Sequence, residues 1–474
     1  MAHNDCVIGA ALTARRKYVI LASCSLSLLI VSMDATIVNI ALPPIRADLG
    51  ASSTELQWVV DVYTLALASL LLLAGAMGDR FGRRKVFQIG LTTFAIASLL
   101  CSLAPTIETL IAARLVQGIG ASMLNPVSLS IITQIFVGRV ERARALGLWG
   151  AVVGISMALG PTVGGLLIEA AGWRAVFWIN LPICVAAIIL TALLVPESKS
   201  ATMRDIDPIG QLLALVTLLA VVFVLMEGIG MGWTNPRTAT ASVVAVVAFV
   251  AFLRHESRRT DPFIDLRFFR SAPFASATLT AVCAFAAWGA FLYVMSPYLQ
   301  GQRGYSAAYA GLTYLPIAVG AVIFSPLSGR LVGRFGNRPS LLASGILMTA
   351  ASAMLTRLTV STPMWALLTI FAVFGIGFGM INAPITSAAV DGMPQDRAGA
   401  ASAVASTSRQ VGVTIGVALA GAALSDAGAD IVGAAKPLWV ISIGLSLAIT
   451  ALAIISTSAR AQRSAQRVAP LIAG

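Results

Sequence analysis

Charged side chains are scarce, at 11% of 474 residues, against about a quarter in a soluble domain. With 58% hydrophobic residues and a mean hydropathy of +0.89, the chain cannot cover a water-facing surface. It reads as a polytopic membrane protein. Histidine is almost missing: His3 and His255 read as solvated, far from any ligand partner. Cys6, Cys24, Cys101, Cys184 and Cys283 fall in the N-terminal tail or in apolar stretches, without metal or disulfide spacing. They read as small core residues, and no metal site is expected. No G-x-x-x-x-G-K-[ST] loop occurs, which argues against ATP-driven work. A clustered His/Asp or Ser/Lys constellation is also lacking, so an enzyme is not expected.

What is present is one apolar run after another. Windows of about 20 residues span a hydrocarbon core of about 30 Å as helices. Fourteen can be marked: 19–42, 56–77, 86–104, 107–136, 143–168, 175–195, 208–228, 238–253, 275–299, 307–329, 339–357, 364–388, 400–424 and 437–458. The first carries Asp34 and lacks a small-residue cleavage site, so it does not read as a signal peptide. With the N-terminus placed in the cytoplasm, 24 of the 32 Lys and Arg fall in inner segments, six in outer segments and two inside windows. This bias predicts that both termini are cytoplasmic. One missed helix would scramble the alternation, so the clean count supports fourteen. The formal charge of +12 is spread over many inner segments and forms no single nucleic-acid patch.

The stretch GAMGDRFGRR, residues 75–84, has an echo in GRLVGRFGNR, residues 329–338. Both fit G-x-x-x-[DG]-R-F-G-x-R. The first follows window 2 and the second follows window 10. A duplicated six-helix unit accounts for this if windows 7 and 8 are inserted between the copies. The expected organisation is a six-helix half at 1–195, two inserted helices at 196–260, and a second half at 261–474. Secondary transporters commonly have two halves with the substrate site near midplane between them.

Six segments then carry a resemblance. GAMGDRFGRRK is similar to the inner-loop signature of the major facilitator superfamily. RLVQGIGASM (114–123) resembles its helix-4 motif with a buried Arg, and GISMALGPTVGGLL (154–167) its helix-5 exporter motif. LIVSMDATIVNIALP, WVVDVYTLALASLLLLAGAMGDR and ASAVASTSRQVGVTIGVA resemble helices 1, 2 and 13 of its fourteen-helix drug:proton antiporters. The resemblance covers nearly the whole chain. The second loop copy departs from the signature, with Gly333 where Asp79 stands in the first. The resemblance implies an all-α facilitator fold in the cell's cytoplasmic membrane. It implies export of lipophilic, cationic drugs, dyes or biocides against protons, with no cofactor beyond the proton gradient. A monomer is expected. The alternative is a same-fold exporter of one narrower substrate: a self-made antibiotic, a siderophore, or a basic amino acid or peptide. An inward proton symporter is the less favoured direction, because of the helix-5 resemblance.

Ionisable groups inside the apolar windows are the candidate coupling residues, since such groups mark ion or substrate pathways by default. At 1.5 Å per residue, Asp34 lies about 5 Å and Asp61 about 8 Å outside their window midpoints, at similar depth. Burial and a neighbouring carboxylate both favour a bound proton, and an arriving cation favours its release. Proton and cationic cargo then compete for one negative site. The plainer readings make Asp34 a hydrogen-bond partner of Thr36 or Asn39, and Asp61 an interfacial residue. Arg114, about 10 Å outside its midpoint, is expected to pair with Asp34 or a polar group on the first helix, either coupling protonation to conformation or forming a fixed ion pair. Glu227 ends window 7 as a cation attractor or a solvated end. In the loop after window 2, Gly75, Gly78, Asp79, Arg80, Gly82, Arg83 and Arg84 form a candidate latch, with Asp79 expected to pair across the inner face. Gly154, Gly160, Pro161, Gly164 and Gly165 favour close packing and a bend in the fifth helix, which family analogy links to gating. Trp58, Tyr63, Trp149 and Tyr293 are candidate cation-stacking aromatics.

Overall fold

The computed structural model describes residues 13–136, 139–199, 207–231, 235–259, 265–391, 398–425 and 430–473. Regular structure among them is entirely helical, as a lipid-embedded chain with internally satisfied backbone groups requires. The helices are α1 (Ala14–Leu49), α2 (Ser53–Phe81), α3 (Arg83–Ser102), α4 (Ile107–Ile135), α5 (Arg139–Ala171), α6 (Ala175–Trp178), α7 (Asn180–Leu194), α8 (Pro208–Met231) and α9 (Pro236–Glu256). They continue as α10 (Ala272–Pro297), α11 (Ala307–Thr313), α12 (Leu315–Phe335), α13 (Asn337–Leu355), α14 (Met364–Gly379), α15 (Asn382–Val390), α16 (Ala398–Leu424), α17 (Ile431–Ser456) and α18 (Ala459–Ala473).

Every apolar window holds a helix or a broken pair, the pairs being α6–α7, α11–α12 and α14–α15. Among the described residues, ten spans are long and apolar enough to cross a membrane, or eleven with α2, which bends by 50° between Leu71 and Leu73. The two copies of the repeated loop break their helices alike. Gly82 ends α2 at φ 117° and Gly336 ends α12 at φ 75°, a backbone region that glycine enters without steric cost. The motif therefore encodes the same structural event twice.

α4 packs on α2 and α3, and α1 on α5 and α7. In the later part, α10 packs on α16 and α17, and α13 on α14 and α17. α8 pairs with α9 and also touches α2 and α16. Five hydrogen bonds join described residues before 200 to those after 265. Gln300 Nε2 donates to Ile40 O (2.8 Å), Tyr293 Oη to Ser53 O (3.4 Å) and Ala308 N to Glu169 Oε2 (3.3 Å). Thr162 Oγ1 donates to Gly311 O (3.0 Å), and the Thr64 and Thr414 hydroxyls share a bond of 2.8 Å. These lie toward the end of the bundle where α1 gives way to α2, or near mid-helix. At the other end, where Gly82 and Gly336 turn the chain, no such bond joins described residues.

Candidate functional site

Asp34 on α1 and Arg114 on α4 are both fully buried. Arg114 Nη1 bonds to Asp34 Oδ2. The same guanidinium donates to Gln117 Oε1 (2.7 Å) and Val59 O (3.0 Å). Asp34 Oδ1 accepts from Gln117 Nε2 (3.0 Å) and Asn180 Nδ2 (2.9 Å). Both amides also donate to Ser98 Oγ, at 2.7 and 3.0 Å. Arg114 stacks over the Tyr63 ring at 4.1 Å, and Tyr63 Oη donates to Val31 O. Five helices thus meet in one buried network that pairs its two charges; of its side-chain atoms, Asn180 Oδ1 has no hydrogen-bond partner among the described residues.

The expected Asp34–Arg114 pair is present. Thr36 and Asn39, the plainer partners for Asp34, bond instead to backbone carbonyls of α1. Tyr63 is a wall beneath Arg114 rather than a free stacking face. Sequence reasoning missed Gln117, Asn180 and Ser98. Gln117 carried the one usable signal, standing one turn after Arg114 on the same helix face.

Asp61 contrasts with Asp34. It too is fully buried, yet neither carboxylate oxygen has a hydrogen-bond partner among the described residues. Its neighbours place it where α2 meets α16 and α10. One turn before it, Gln57 fills the space over Gly421 so tightly that a Cβ there would collide. One turn after it, Thr64 bonds Thr414. Tyr293 on α10 lies within electrostatic reach. The two acids do not form the carboxylate pair expected from their similar depth. Asp34 is held among the early helices, while Asp61 stands on the face of α2 that meets α16.

The loop after α2 differs from its expected pairing. Asp79 bonds Arg83, four residues on, at 2.9 and 3.2 Å, and Arg83 reaches Gln134 Oε1 at 3.2 Å. This pairing is local rather than across the face; among the described residues no hydrogen bond joins the early and late helices at this end. Arg80 lies over Phe81. Glu197, absent from the sequence reading, accepts from Arg84 N (3.1 Å) and presses on Gly82, where a Cβ would meet it at 2.7 Å. Arg84 also donates to Val195 O. Gly75 and Gly78 bring α2 against Pro126 and Val127 of α4.

On α5, Gly160 and Gly164 abut α1, where a Cβ on Gly164 would stand 2.6 Å from Ile37 Cγ1. Gly165 and the Pro161 carbonyl abut Gly311 of α11. The motif therefore wedges α5 between α1 and α11; Gly154 lies in the same helix. Trp58 is half-buried against Leu65, Val222 and Ala418. Trp149 donates to Ser128 Oγ at 3.2 Å. Glu227 falls within α8, but its side chain lies outside the described residues.

One expectation is overturned outright. His255 is not partnerless: its Nε2 stands 3.0 Å from Asp207 Oδ1, and Glu256 lies within the same cluster. The antiparallel α8–α9 pair brings positions 48 apart in sequence into contact. Arg259 Nη1 sits 3.3 Å from the same carboxylate, so a cation already occupies it. Burial opposes the charge of Asp207. The Gly210 N–H, His255 and Arg259 outweigh it and hold the carboxyl below its ordinary range.

Residues 24–417 match the family described as Major Facilitator Superfamily. The chain belongs to that family. Facilitator proteins are transporters, not enzymes. The methylenomycin A resistance protein of Streptomyces coelicolor is 38% identical over 433 residues, covering 91% of this chain and 90% of that one. The multidrug resistance protein Stp of Mycobacterium tuberculosis is 36% identical, covering 87% and 76%. The multidrug efflux pump LfrA of Mycolicibacterium smegmatis is 33% identical, covering 88% and 83%. Among solved structures, a D-xylose–proton symporter superposes with a TM-score of 0.65 at 15% identity over 93% of this chain. This facilitator fold is the all-α polytopic architecture expected from the sequence.

Proposed function

We propose that this facilitator is a drug:proton antiporter of the cytoplasmic membrane, with fourteen spans in two six-helix halves around α8–α9 and both termini inside. It exports lipophilic cationic compounds, works as a monomer, and needs no cofactor beyond the proton gradient. The observation that carries the reading is Asp61, a buried carboxylate without a donor among the described residues, on the face of α2 that meets α16 and near Tyr293 of α10. A buried charge of this kind demands neutralisation, and a proton or a cation can supply it, each in turn. Asp34 and Arg114 then serve the cycle as a fixed pair that holds the early helices together, and Asp79 latches the opposite end by pairing with positive groups across the inner face in the alternate state. Glu227 keeps its proposed part as a cation attractor. The named activities of Stp and LfrA support multidrug breadth.

The second reading, one narrower substrate, draws on relatives named for single antibiotics: methylenomycin A, tetracenomycin C and puromycin. Ethidium efflux from energised cells separates the two. Asp61→Asn folds, since neither oxygen loses a bond, and efflux falls about 100-fold or more, as for a lost proton-transfer group. Retained efflux in Asp61→Asn would defeat the exchange site. Wild-type indifference to every dye would favour the narrow exporter.

A further inference from the structure

Four arginines converge where no carboxylate among the described residues answers them. Arg270 ends the 3₁₀ turn Leu266–Arg270 that precedes α10, and Arg460, Arg463 and Arg467 lie on α18. With Ser464 and Val468 they line a cavity of about 400 Å³. α18 is two-faced: Ala461, Ala465 and Val468 are buried at helical spacing, while the three arginines are exposed. Ser464 Oγ accepts from Ala272 N at 2.9 Å, pinning α18 to the start of α10. The acid of that turn, Asp265, is already taken by Arg267.

Like charges gathered round a cavity repel unless an anion enters, and guanidinium forks match phosphate oxygens. The cavity stands at the end of α10, where the apolar span begins, so its occupant meets the hydrocarbon edge. Phe269, beside Arg270, is 43% exposed and offers an apolar surface to an acyl chain. We propose that the Arg270–Arg460–Arg463–Arg467 cavity binds the phosphodiester headgroup of an anionic phospholipid and so docks α18 on the membrane surface. Basic pockets at the ends of membrane helices bind such headgroups, and a basic two-faced helix suits the interface.

The purified full chain in detergent is tested by native mass spectrometry and thermal unfolding with phosphatidylglycerol, cardiolipin, phosphatidylcholine or inorganic phosphate. The anionic lipids are expected to stay bound and raise the unfolding temperature, while phosphatidylcholine and phosphate do neither. At about 1 kcal/mol per arginine, Arg463→Gln with Arg467→Gln lowers phosphatidylglycerol affinity about 30-fold. Arg463→Lys with Arg467→Lys keeps the charge and most of the affinity. Should the glutamine pair misfold, Arg270→Gln, off α18, carries the same test with about a fivefold loss. Equal stabilisation by phosphatidylcholine, undiminished binding in the glutamine variants, or a full shift from inorganic phosphate alone would each overturn the lipid site.

Discussion

Arg114 has no exposure, and neither has the carboxylate that answers it. Removing one partner of such a pair costs about 3–5 kcal/mol, whereas removing both charges together costs far less. Arg114→Gln is therefore expected to lower the unfolding temperature strongly, because Asp34 keeps its charge with only two amides to answer it. Adding Asp34→Asn is expected to recover about 2 kcal/mol or more of that loss. Thermal unfolding of the two single variants and the double variant reads the coupling directly; additive losses would mean that the pair acts as two independent residues. The pairing itself was legible in the sequence, because a lone arginine in an apolar window demands a partner. Gln117 was legible only as the residue one turn after Arg114, and Asn180 and Ser98 were not legible. Single polar residues in apolar helices repeat with no period and point to no partner until the helices are placed. Asp61 was legible as an unusual acid, but its lack of a donor among the described residues depends on how α10 and α16 pack.

At the scale of elements, the apolar runs and the glycines at 82 and 336 revealed where helices lie and where two of them break. The breaks at α6–α7, α11–α12 and α14–α15 fall inside apolar runs that read as continuous; their one mark is a proline in the first turn of the resuming helix, Pro182, Pro316 and Pro384. The α8–α9 pair shows the same boundary. Its two helices were legible, while its Asp207–His255–Arg259 staple needed the antiparallel turn to close a gap of 48 residues. Asp207→Asn is expected to loosen the pair by about 1–2 kcal/mol, since charged hydrogen bonds are lost to partners that remain partly solvated. The sign with pH follows from the depressed carboxyl. The contribution is present above the ordinary value of about 4 and fades as pH falls through the lower folded value. Unfolding measured from pH 7 downward should therefore show wild type and Asp207→Asn converging in acid. A constant gap down to pH 3 would remove the carboxylate from the staple.

For the whole molecule, the hydrogen bonds between early and late helices gather toward one end, from Gln300–Ile40 through Thr64–Thr414. The opposite end, with the Asp79–Arg83 loop, has none among the described residues. A protein that alternates access needs both ends to close in turn, and one sequence must encode both sets of contacts. This is why the repeated loop in the sequence does not fix the conformation. In the proposed orientation, with both termini inside, the joined end is the outer one. The Thr64 and Thr414 hydroxyls, 2.8 Å apart, offer a way to hold it joined. In a background with the native cysteines replaced by Ala or Ser, Thr64→Cys with Thr414→Cys is expected to crosslink on mild oxidation and stop efflux at least about tenfold, with a reductant restoring it. Each single cysteine should leave efflux within about twofold, because only one buried hydroxyl bond is lost. If the crosslinked protein transported at the wild-type rate, α2 and α16 would not separate during the cycle, and the opening of the halves would have to occur elsewhere.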